Sequence, residues 1–270
     1  MPELPEVETV RRSLTPHCQG RRIVAITVRE PRLRWPVPTD LATLATGQTV
    51  RSSERRGKYL LLHLDYGALI LHLGMSGSLR LCASDTPPGR HDHIDIVLES
   101  GQCLRLHDPR RFGALLWSDQ PHNHPLLAHL GVEPLTDAFD GTHIHTRTRG
   151  RTAAIKHWLM DAHQVVGIGN IYANEALFLA GIRPQHAASR LSRPRCARLA
   201  DAVKTILHAA IDAGGSTLRD FVDSSGHPGW FQQQHAVYGR ANENCRNCGS
   251  LIRVDRASGR ATYWCPHCQK

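Results

Sequence analysis

Short runs in which hydrophobic and polar residues alternate fill the first half of the chain, and this pattern predicts β-strands. Glycine and proline residues separate the runs, as they do at turns. A helix precedes them, because Val7, Val10 and Leu14 recur at helical spacing before Gly20. We therefore expect a sandwich of antiparallel strands after a first helix. The runs are RRIVAITVRE, KYLLLHLD, GALILHLG, HIDIVLES, CLRLHDP and GALLW.

From about residue 152 the hydrophobic spacing becomes that of helices. TAAIKHWLMD and NIYANEALFLAG have this spacing, and apolar residues from Leu199 to Ile211 form one stripe. A segment with proline and glycine separates the two halves and predicts a linker. The expected division is an N-terminal β-sandwich domain at 1–133, a linker at 134–150, a helical domain at 151–235 and a C-terminal finger at 236–270.

The C-terminal segment carries two Cys-x-x-Cys pairs separated by 16 residues. This spacing predicts a zinc ribbon, with two redox pairs as the alternative interpretation. Four thiolates suit tetrahedral Zn²⁺ and leave no position for water, so one structural ion is expected. The residues between the pairs indicate strand, turn and strand, with Arg260 at the tip. The expected ligands are Cys245, Cys248, Cys265 and Cys268.

The charge of the chain favours a polyanionic partner. There are 33 Lys and Arg residues against 24 Asp and Glu residues, and the formal net charge is +9. The same excess also accompanies simple solubility. We find no apolar run of about 18 residues and no secretory signal, which predicts a cytoplasmic protein that does not contact membranes. The four remaining cysteines are expected to be inert thiols.

The first ten residues, MPELPEVETV, do more than begin a helix. Pro5 suits the first turn of a helix, and acidic residues suit its positive end. Neither argument gives Pro2 or Glu3 a structural role. For Glu6 two roles stay open, because it either supports the terminus or only begins the helix.

Together these features resemble the formamidopyrimidine-DNA glycosylase family of bacterial enzymes, which remove oxidised purines such as 8-oxoguanine. The resemblance implies an α+β fold, with an N-terminal antiparallel β-sandwich and flanking helices, a helix-two-turn-helix domain and a zinc-finger hairpin. It also implies a monomeric glycosylase and abasic-site lyase of base excision repair, acting on duplex DNA with 8-oxoguanine opposite cytosine preferred. The motifs that carry it are PELPEVETV, GKYLLL, HLGMSGSLR, HDH, DPRRFG, VVGIGNIYANEALF and the four-cysteine finger.

The resemblance implies four catalytic residues. Removal of Met1 would give Pro2 a free secondary amine, and a pKa near 8 leaves part of such an amine nucleophilic at pH 7. Its condensation with deoxyribose yields an iminium that promotes strand cleavage. Glu3 would exchange a proton with the sugar, and Lys58 would donate a proton during β-elimination. Arg260 would hold the lesion phosphate and support δ-elimination, because its guanidinium stays charged.

Three residues of two loops are implied as contacts that fill the space left by an everted nucleotide. Met75 and Phe112 would wedge into the base stack, and Arg110 would pair with the orphaned cytosine. Without the resemblance, the methionine and the phenylalanine would be interpreted as core residues. The partner of Arg111 stays open between Asp108 and a phosphate.

Further contacts to the DNA backbone are implied for His91, Arg151 and Asn170. Asn170 also suits the N-cap of the helix that follows it, whose free N–H groups would bind a phosphate. The loop that begins at Thr217 is expected to cover the everted base.

Two alternatives to this interpretation stay open. One is an endonuclease VIII-type glycosylase for oxidised pyrimidines, which shares the terminal proline and the finger. PELPE and DPRRFG favour the purine enzyme over it. The other is a non-catalytic zinc-ribbon protein that binds DNA. That interpretation explains the charge and the cysteines but leaves Pro2, Glu3 and Lys58 without a role.

Overall fold

A computed structural model describes most of the chain, and it divides the protein into two compact units. The first unit comprises residues 1–128 and 213–230, and the second comprises residues 129–212 and 231–270. Among the described residues, no helix is both long and apolar enough to cross a membrane. The structure describes residues 1–216, 230–256 and 259–270.

In its described residues, the first unit contains two four-stranded antiparallel sheets and two helices, α1 (Leu4–Cys18) and α2 (Leu41–Ala45). The strands are β1 (Ile23–Val28), β2 (Ser52–Arg56), β3 (Tyr59–His63), β4 (Ala68–His72), β5 (Ser78–Ala83), β6 (Asp92–Leu98), β7 (Gln102–His107) and β8 (Ala114–Ser118). One sheet has the order β1-β6-β7-β5, and the other has the order β2-β3-β4-β8. A short 3₁₀ turn, Pro121–Asn123, follows β8.

A single hydrophobic core joins the two sheets to α1. Alternate residues of the strands, such as Leu60 and Leu62 of β3, enter this core together with Val7, Val10 and Leu14 of the helix. This arrangement confirms the β-sandwich and the first helix that the hydrophobic pattern predicts. The pattern does not predict β2, because its sequence SSERR has no apolar residue and the strand forms through its ladder with β3.

The second unit is helical and ends in a hairpin. Its helices are α3 (Gly141–Thr148), α4 (Ile155–Leu159), α5 (Asn170–Leu179) and α6 (Arg193–Asp212). Its strands, β9 (Arg253–Asp255) and β10 (Thr262–Trp264), pair in an antiparallel hairpin, as the sequence predicts. The unit also contains the 3₁₀ turns Ala188–Arg190 and Phe231–Gln234.

Helix α3 lies in the segment that the sequence predicts as a linker. Its N-cap Asp140 accepts a hydrogen bond of 2.6 Å from the N–H of His143. Only Ile144 and Thr148 of this helix are buried, so its sequence carries almost no hydrophobic period. The helix packs closely on α6 through Gly141, which has no side chain to separate the two backbones.

Candidate functional site

The amino-terminal end of α1 is buried, and a carboxylate holds it in place. Pro2 is buried and Glu3 is 3% exposed. The N–H of Glu3 donates to Oε2 of Glu6 at 2.7 Å, and Oε1 of Glu6 accepts from the N–H of Ser216 at 2.7 Å. Gly215 has a φ of 85°, and a Cβ there would lie 3.0 Å from Oε1 of Glu6. Glu6 therefore supports the terminus in addition to lying in the first turn of the helix.

Polar contacts fix α1 along strand β2. Nη1 of Arg11 lies 3.3 Å from Oγ of Ser53, and Oε2 of Glu8 lies 3.4 Å from Nε of Arg55. Residue numbers fall along the helix as they rise along the strand, so the two elements run antiparallel. The start of α1 is consequently at the same end of the first unit as the end of β2.

A two-residue turn joins β2 to β3 at that end. Arg56 pairs with Tyr59, and Gly57 and Lys58 form the turn between them. Gly57 has a φ of 58°, as the first position of a type II′ turn requires. Lys58 takes the second position and is half-buried. The turn therefore lies, with Lys58, at the end of the unit that contains Glu3, the N-cap of α1.

Two neighbouring loops carry large side chains that remain exposed. The Met75 loop comprises residues 73–77, and the Arg110 loop comprises residues 108–113. Met75 is 41% exposed and Phe112 is 42% exposed, so their interpretation as core residues is wrong. The guanidinium of Arg110 lies 4.7 Å from the ring centroid of Phe112. A Cβ on Gly74 would lie 2.4 Å from the backbone of Phe112, so the two loops touch.

Asp108, which is fully buried, holds the Arg110 loop closed. Its Oδ2 accepts from the N–H of Gly113 at 2.7 Å, and its Oδ1 accepts from the N–H of Arg110 at 3.3 Å. The hydroxyl of Ser76 lies 3.4 Å from the same Oδ1, which links the Met75 loop to the carboxylate. The sequence gives Asp108 no such role, because its partners are backbone groups of a loop.

Arg111 adopts a left-handed backbone conformation, with a φ of 57°. Side chains with a Cβ rarely take this conformation, which costs about 1–3 kcal/mol where it occurs. Nη1 of Arg111 lies 3.2 Å from Oε2 of Glu30. The observed side-chain partner is thus Glu30, which neither expected alternative includes.

His72 ends strand β4 and supports the Met75 loop. Its Nδ1 accepts from the N–H of Gly74 at 3.0 Å. Burial, and then the charges of Lys58 and Arg34, lower the pKa of His72 to about 4. The ring is therefore neutral at pH 7 and can act as an acceptor. A histidine at the end of a strand gives no sequence signal for this role.

His91 lies just before β6 and is half-buried. Its ring packs edge-on against His93 and His107, with centroids 6.3 and 6.0 Å away. Its carbonyl accepts from the N–H of Asp108 at 2.9 Å, which attaches it to the Arg110 loop.

In the second unit, side chains of the helices hold the backbone of the finger hairpin. Nδ2 of Asn170 donates to the carbonyl of Ala261 at 3.0 Å, and Nζ of the buried Lys156 donates to the same carbonyl at 2.9 Å. The N-cap of α5 is Gly169, so the prediction that Asn170 caps the helix is wrong. The side-chain amide of Asn170 instead binds Ala261, which follows Arg260 in the chain. Arg260 itself is exposed.

Two further buried side chains of α5 fix the finger, and no spacing in the sequence points to them. Oδ1 of Asn174 accepts from the N–H of Tyr263 at 2.8 Å. The carboxylate of Glu175 accepts three backbone N–H groups at 2.7–3.0 Å, while burial raises its pKa. The three donors are Ala236, Val237 and Tyr238.

Of two further predicted DNA contacts, the structure describes Arg151 but not the loop that begins at Thr217. Arg151 is exposed after the end of α3, and its N–H donates to the carbonyl of Thr148 at 3.0 Å. The loop from Thr217, for which we expect a role over the everted base, lies outside the described residues.

The four cysteines of the finger come together as the sequence predicts. Their Sγ atoms all lie within 4.8 Å of one another. The pair Cys245 and Cys268 is 3.9 Å apart, and the pair Cys248 and Cys265 is 3.4 Å apart. Thiolates at about 2.3 Å from a tetrahedral Zn²⁺ are separated by about 3.8 Å. The donor set therefore fits one structural zinc ion.

Comparison with protein families divides the chain among three models. Residues 1–115 match the formamidopyrimidine-DNA glycosylase N-terminal domain, and residues 130–222 match the H2TH domain of the same glycosylase. Residues 242–270 match a zinc finger found in FPG and IleRS. The chain is 56% identical over 271 residues to formamidopyrimidine-DNA glycosylase of Methylococcus capsulatus, and 56% identical over 270 residues to that of Pseudomonas aeruginosa. Both alignments cover 100% of each chain.

Solved structures with the same fold include complexes with DNA. The chain is 38% identical to the MutM (Fpg) protein of Thermus thermophilus, with a TM-score of 0.89 and coverage of 99% of this chain and 98% of that one. It is 37% identical to Lactococcus lactis Fpg in complex with DNA that contains an abasic site, with a TM-score of 0.90 and 99% coverage of each chain. Another Lactococcus lactis complex holds DNA with N7-benzyl-Fapy-dG, and its TM-score is 0.91.

The neutral state of His72 predicts how stability depends on pH. The folded chain binds a proton at this ring only near pH 4, whereas the unfolded chain binds it near pH 6.5. Lowering the pH from 6.5 to 4 therefore favours unfolding, by up to about 3 kcal/mol from this group. Chemical unfolding of wild type and His72→Leu across this range should show their stability difference shrinking as the pH falls. A difference that is independent of pH would contradict the buried neutral ring.

Proposed function

The chain belongs to the formamidopyrimidine-DNA glycosylase family and is a DNA glycosylase of base excision repair, and on that premise we propose that Pro2 is its nucleophile. The observation that carries this proposal is the burial of Pro2 and Glu3, with Glu6 holding the adjoining backbone. A chain terminus without a role is normally frayed. Here it is fixed, as covalent catalysis requires of a nucleophile.

The substrate that we propose is duplex DNA with an oxidised purine. The Lactococcus lactis enzyme binds DNA that contains an abasic site or a substituted Fapy-dG, and the same classes of damaged DNA suit this chain. Its net charge of +9 supports a polyanionic partner. We propose 8-oxoguanine opposite cytosine as the preferred lesion, and a monomer that acts in the cytoplasm.

The first chemical step releases the base. After removal of Met1, the nitrogen of Pro2 forms a bond to C1′ of the damaged nucleotide while the bond from C1′ to the base breaks. The base leaves with the bonding electrons and takes up a proton, and the nitrogen of Pro2 loses the proton that it carried as a secondary amine. Glu3, next in the chain, protonates the ring oxygen of the sugar as the ring opens. The product is an iminium between Pro2 and C1′.

The second step cuts the strand. The iminium accepts electrons when C2′ loses a proton, and the bond between C3′ and its phosphate oxygen breaks. Lys58 supplies protons during this β-elimination, and its turn between β2 and β3 lies at the end of the unit where α1 begins. In the δ-elimination C4′ loses a proton and the bond between C5′ and its phosphate oxygen breaks. Arg260 binds this phosphate, because a permanently charged guanidinium stabilises the leaving anion. Water then releases Pro2.

Exposed side chains on both units contact the DNA in this proposal. Met75 and Phe112 fill the space of the everted nucleotide, and Arg110 faces the orphaned cytosine. Asp108 and His72 position the loops that carry them. Contacts to the phosphate backbone come from His91, Arg151 and Asn170.

Zinc has a structural role in this proposal. Cys245, Cys248, Cys265 and Cys268 would hold the ion with no position left for water, so a bound ion would stabilise the finger and take no part in the chemistry. The finger in turn presents Arg260. Asn170, Asn174 and Lys156 fix the hairpin backbone beside that arginine.

Borohydride trapping tests Pro2 directly. Reduction of the iminium should join the chain irreversibly to a duplex that contains 8-oxoguanine, and intact mass should show one adduct that peptide mapping assigns to Pro2. Met1 is expected to stay on a Pro2→Glu variant. This variant should form no adduct, because the nitrogen of residue 2 is then an amide and the free amine belongs to Met1. An adduct that maps to a lysine, or excision without any adduct, would contradict the proposal. A faster reaction with thymine glycol would favour the endonuclease VIII alternative.

The wedge role of Met75 predicts an effect that depends on the substrate. Met75→Ala should slow excision of 8-oxoguanine from a duplex by about tenfold, a loss of about 1.4 kcal/mol. The reason is that no side chain then fills the gap in the base stack, so the everted nucleotide can return to it. Cleavage of a ready-made abasic site should change much less. Single-turnover kinetics on both substrates measures the difference, with the exposed Leu179→Ala as the matched control. Equal losses on the two substrates would count against the wedge.

A further inference from the structure

Three potential metal ligands lie together on the first unit, outside every role assigned above. They are Glu54, His63 and His122, and their ligand atoms all lie within 4.8 Å of one another. Nε2 of His63 lies 2.8 Å from Oε2 of Glu54, and Nε2 of His122 lies 3.5 Å from the same oxygen. The two imidazole rings are 6.1 Å apart between centroids. All three side chains thus converge on one point.

The sheet fixes two of the three ligands. In the ladder of β2 and β3, Ser52 pairs with His63 and Glu54 pairs with Leu61. Glu54 and His63 are therefore diagonal neighbours on the same face of the sheet. Residues that alternate with His63 along β3, such as Leu62, enter the hydrophobic core. The backbone ladder consequently sets the spacing of the carboxylate and the first imidazole.

The 3₁₀ turn that follows β8 supplies the third ligand. His122 is the central residue of this turn, and the flanking residues hold it. The N–H of Asn123 donates to the carbonyl of Gln120 at 3.0 Å, and Nδ2 of Asn123 donates to Oε1 of Gln120 at 2.9 Å. The backbone that carries His122 is thereby fixed before any ion binds.

The donor set and its exposure suit a divalent transition metal. The side chains of Glu54, His63 and His122 are 39%, 25% and 62% exposed, so an ion can reach them from solvent. Imidazole is a good ligand for Zn²⁺, Ni²⁺ and Cu²⁺, and a carboxylate adds charge compensation. Three protein ligands leave room for water, unlike the closed set of four cysteines.

We propose that Glu54, His63 and His122 form a second metal site, which binds one divalent ion of the zinc or nickel class. The ion would join the turn after β8 to the face of the sheet that carries Glu54 and His63, and so stabilise the first unit. The hydrogen bond between His63 and Glu54 and the 3.5 Å contact of His122 with the same carboxylate also form without an ion, so uptake of a second equivalent of metal is what distinguishes a metal site.

Titration calorimetry with Ni²⁺ at pH 7.5, on protein that holds one zinc ion in its finger, tests the proposal. Wild type should bind one further equivalent, and the thermal unfolding temperature should rise with added Ni²⁺. His63→Ala and His122→Ala should each weaken this binding by more than about tenfold, since even outer-shell substitutions cost 10–100-fold. His208→Ala removes an exposed histidine of α6 and should bind as wild type does.

Further readouts separate the proposed site from other causes of binding. Circular dichroism of the two alanine variants without Ni²⁺ should match wild type, because His122 is exposed and His63 is partly exposed. A chromophoric chelator should detect no zinc released from the finger during the titration. The proposal is overturned if no second equivalent binds, if binding persists in both alanine variants, or if nickel uptake equals zinc release.

Discussion

One buried carboxylate holds the amino-terminal end of this protein, where we propose that the nucleophile lies. The two oxygens of Glu6 accept the backbone N–H groups of Glu3 and Ser216, which are distant in sequence. Hydrogen bonds to an ionised acceptor are stronger than those between neutral groups, and they compensate the cost of burying its charge. Gly215 leaves room for this contact because it lacks a Cβ. Without such a clamp, the first residues of the chain would be free to fray.

Buried side chains that accept hydrogen bonds from backbone N–H groups recur wherever the proposed function needs a fixed backbone. Asp108 closes the Arg110 loop, and His72 supports the Met75 loop. In the second unit Asn174 and Glu175 hold backbone groups of the finger. Each of these side chains is buried and satisfies backbone N–H groups that no ladder or helix pairs. Exposed functional side chains are thus carried by loops whose backbones are rigid.

Much of the fold could be predicted from the sequence, because hydrophobic period and glycine positions report directly on burial and turns. Strands β1, β3, β4, β6, β7 and β8, the first helix and the finger hairpin follow from these signals, whereas β5 lies in none of the predicted runs. Strand β2 and helix α3 could not be predicted in the same way. The strand has no apolar residue, and the helix buries only Ile144 and Thr148, so tertiary pairing decides both.

The site divides along a similar line. Some site residues can be predicted because their type and spacing in the sequence are characteristic, as with the four cysteines of the finger. Residues that act through backbone partners, such as Asp108 and Asn174, leave none, because their partners become neighbours only on folding. The partner of Arg111 and the orientation of Asn170 were missed for this reason. Both side chains bind groups on other segments of their unit.

The clamp can be tested apart from base release by cleavage of a duplex that contains a preformed abasic site. Glu6→Gln keeps the shape of the side chain but removes its charge and one acceptor, whereas Glu243→Gln changes an exposed carboxylate that pairs with Arg240. Single-turnover cleavage should be slower by about tenfold or more for Glu6→Gln, a loss of at least about 1.4 kcal/mol of transition-state stabilisation. Glu243→Gln should cleave at the wild-type rate. If a folded Glu6→Gln protein also cleaved at the wild-type rate, the carboxylate would not be what holds the nucleophile in place.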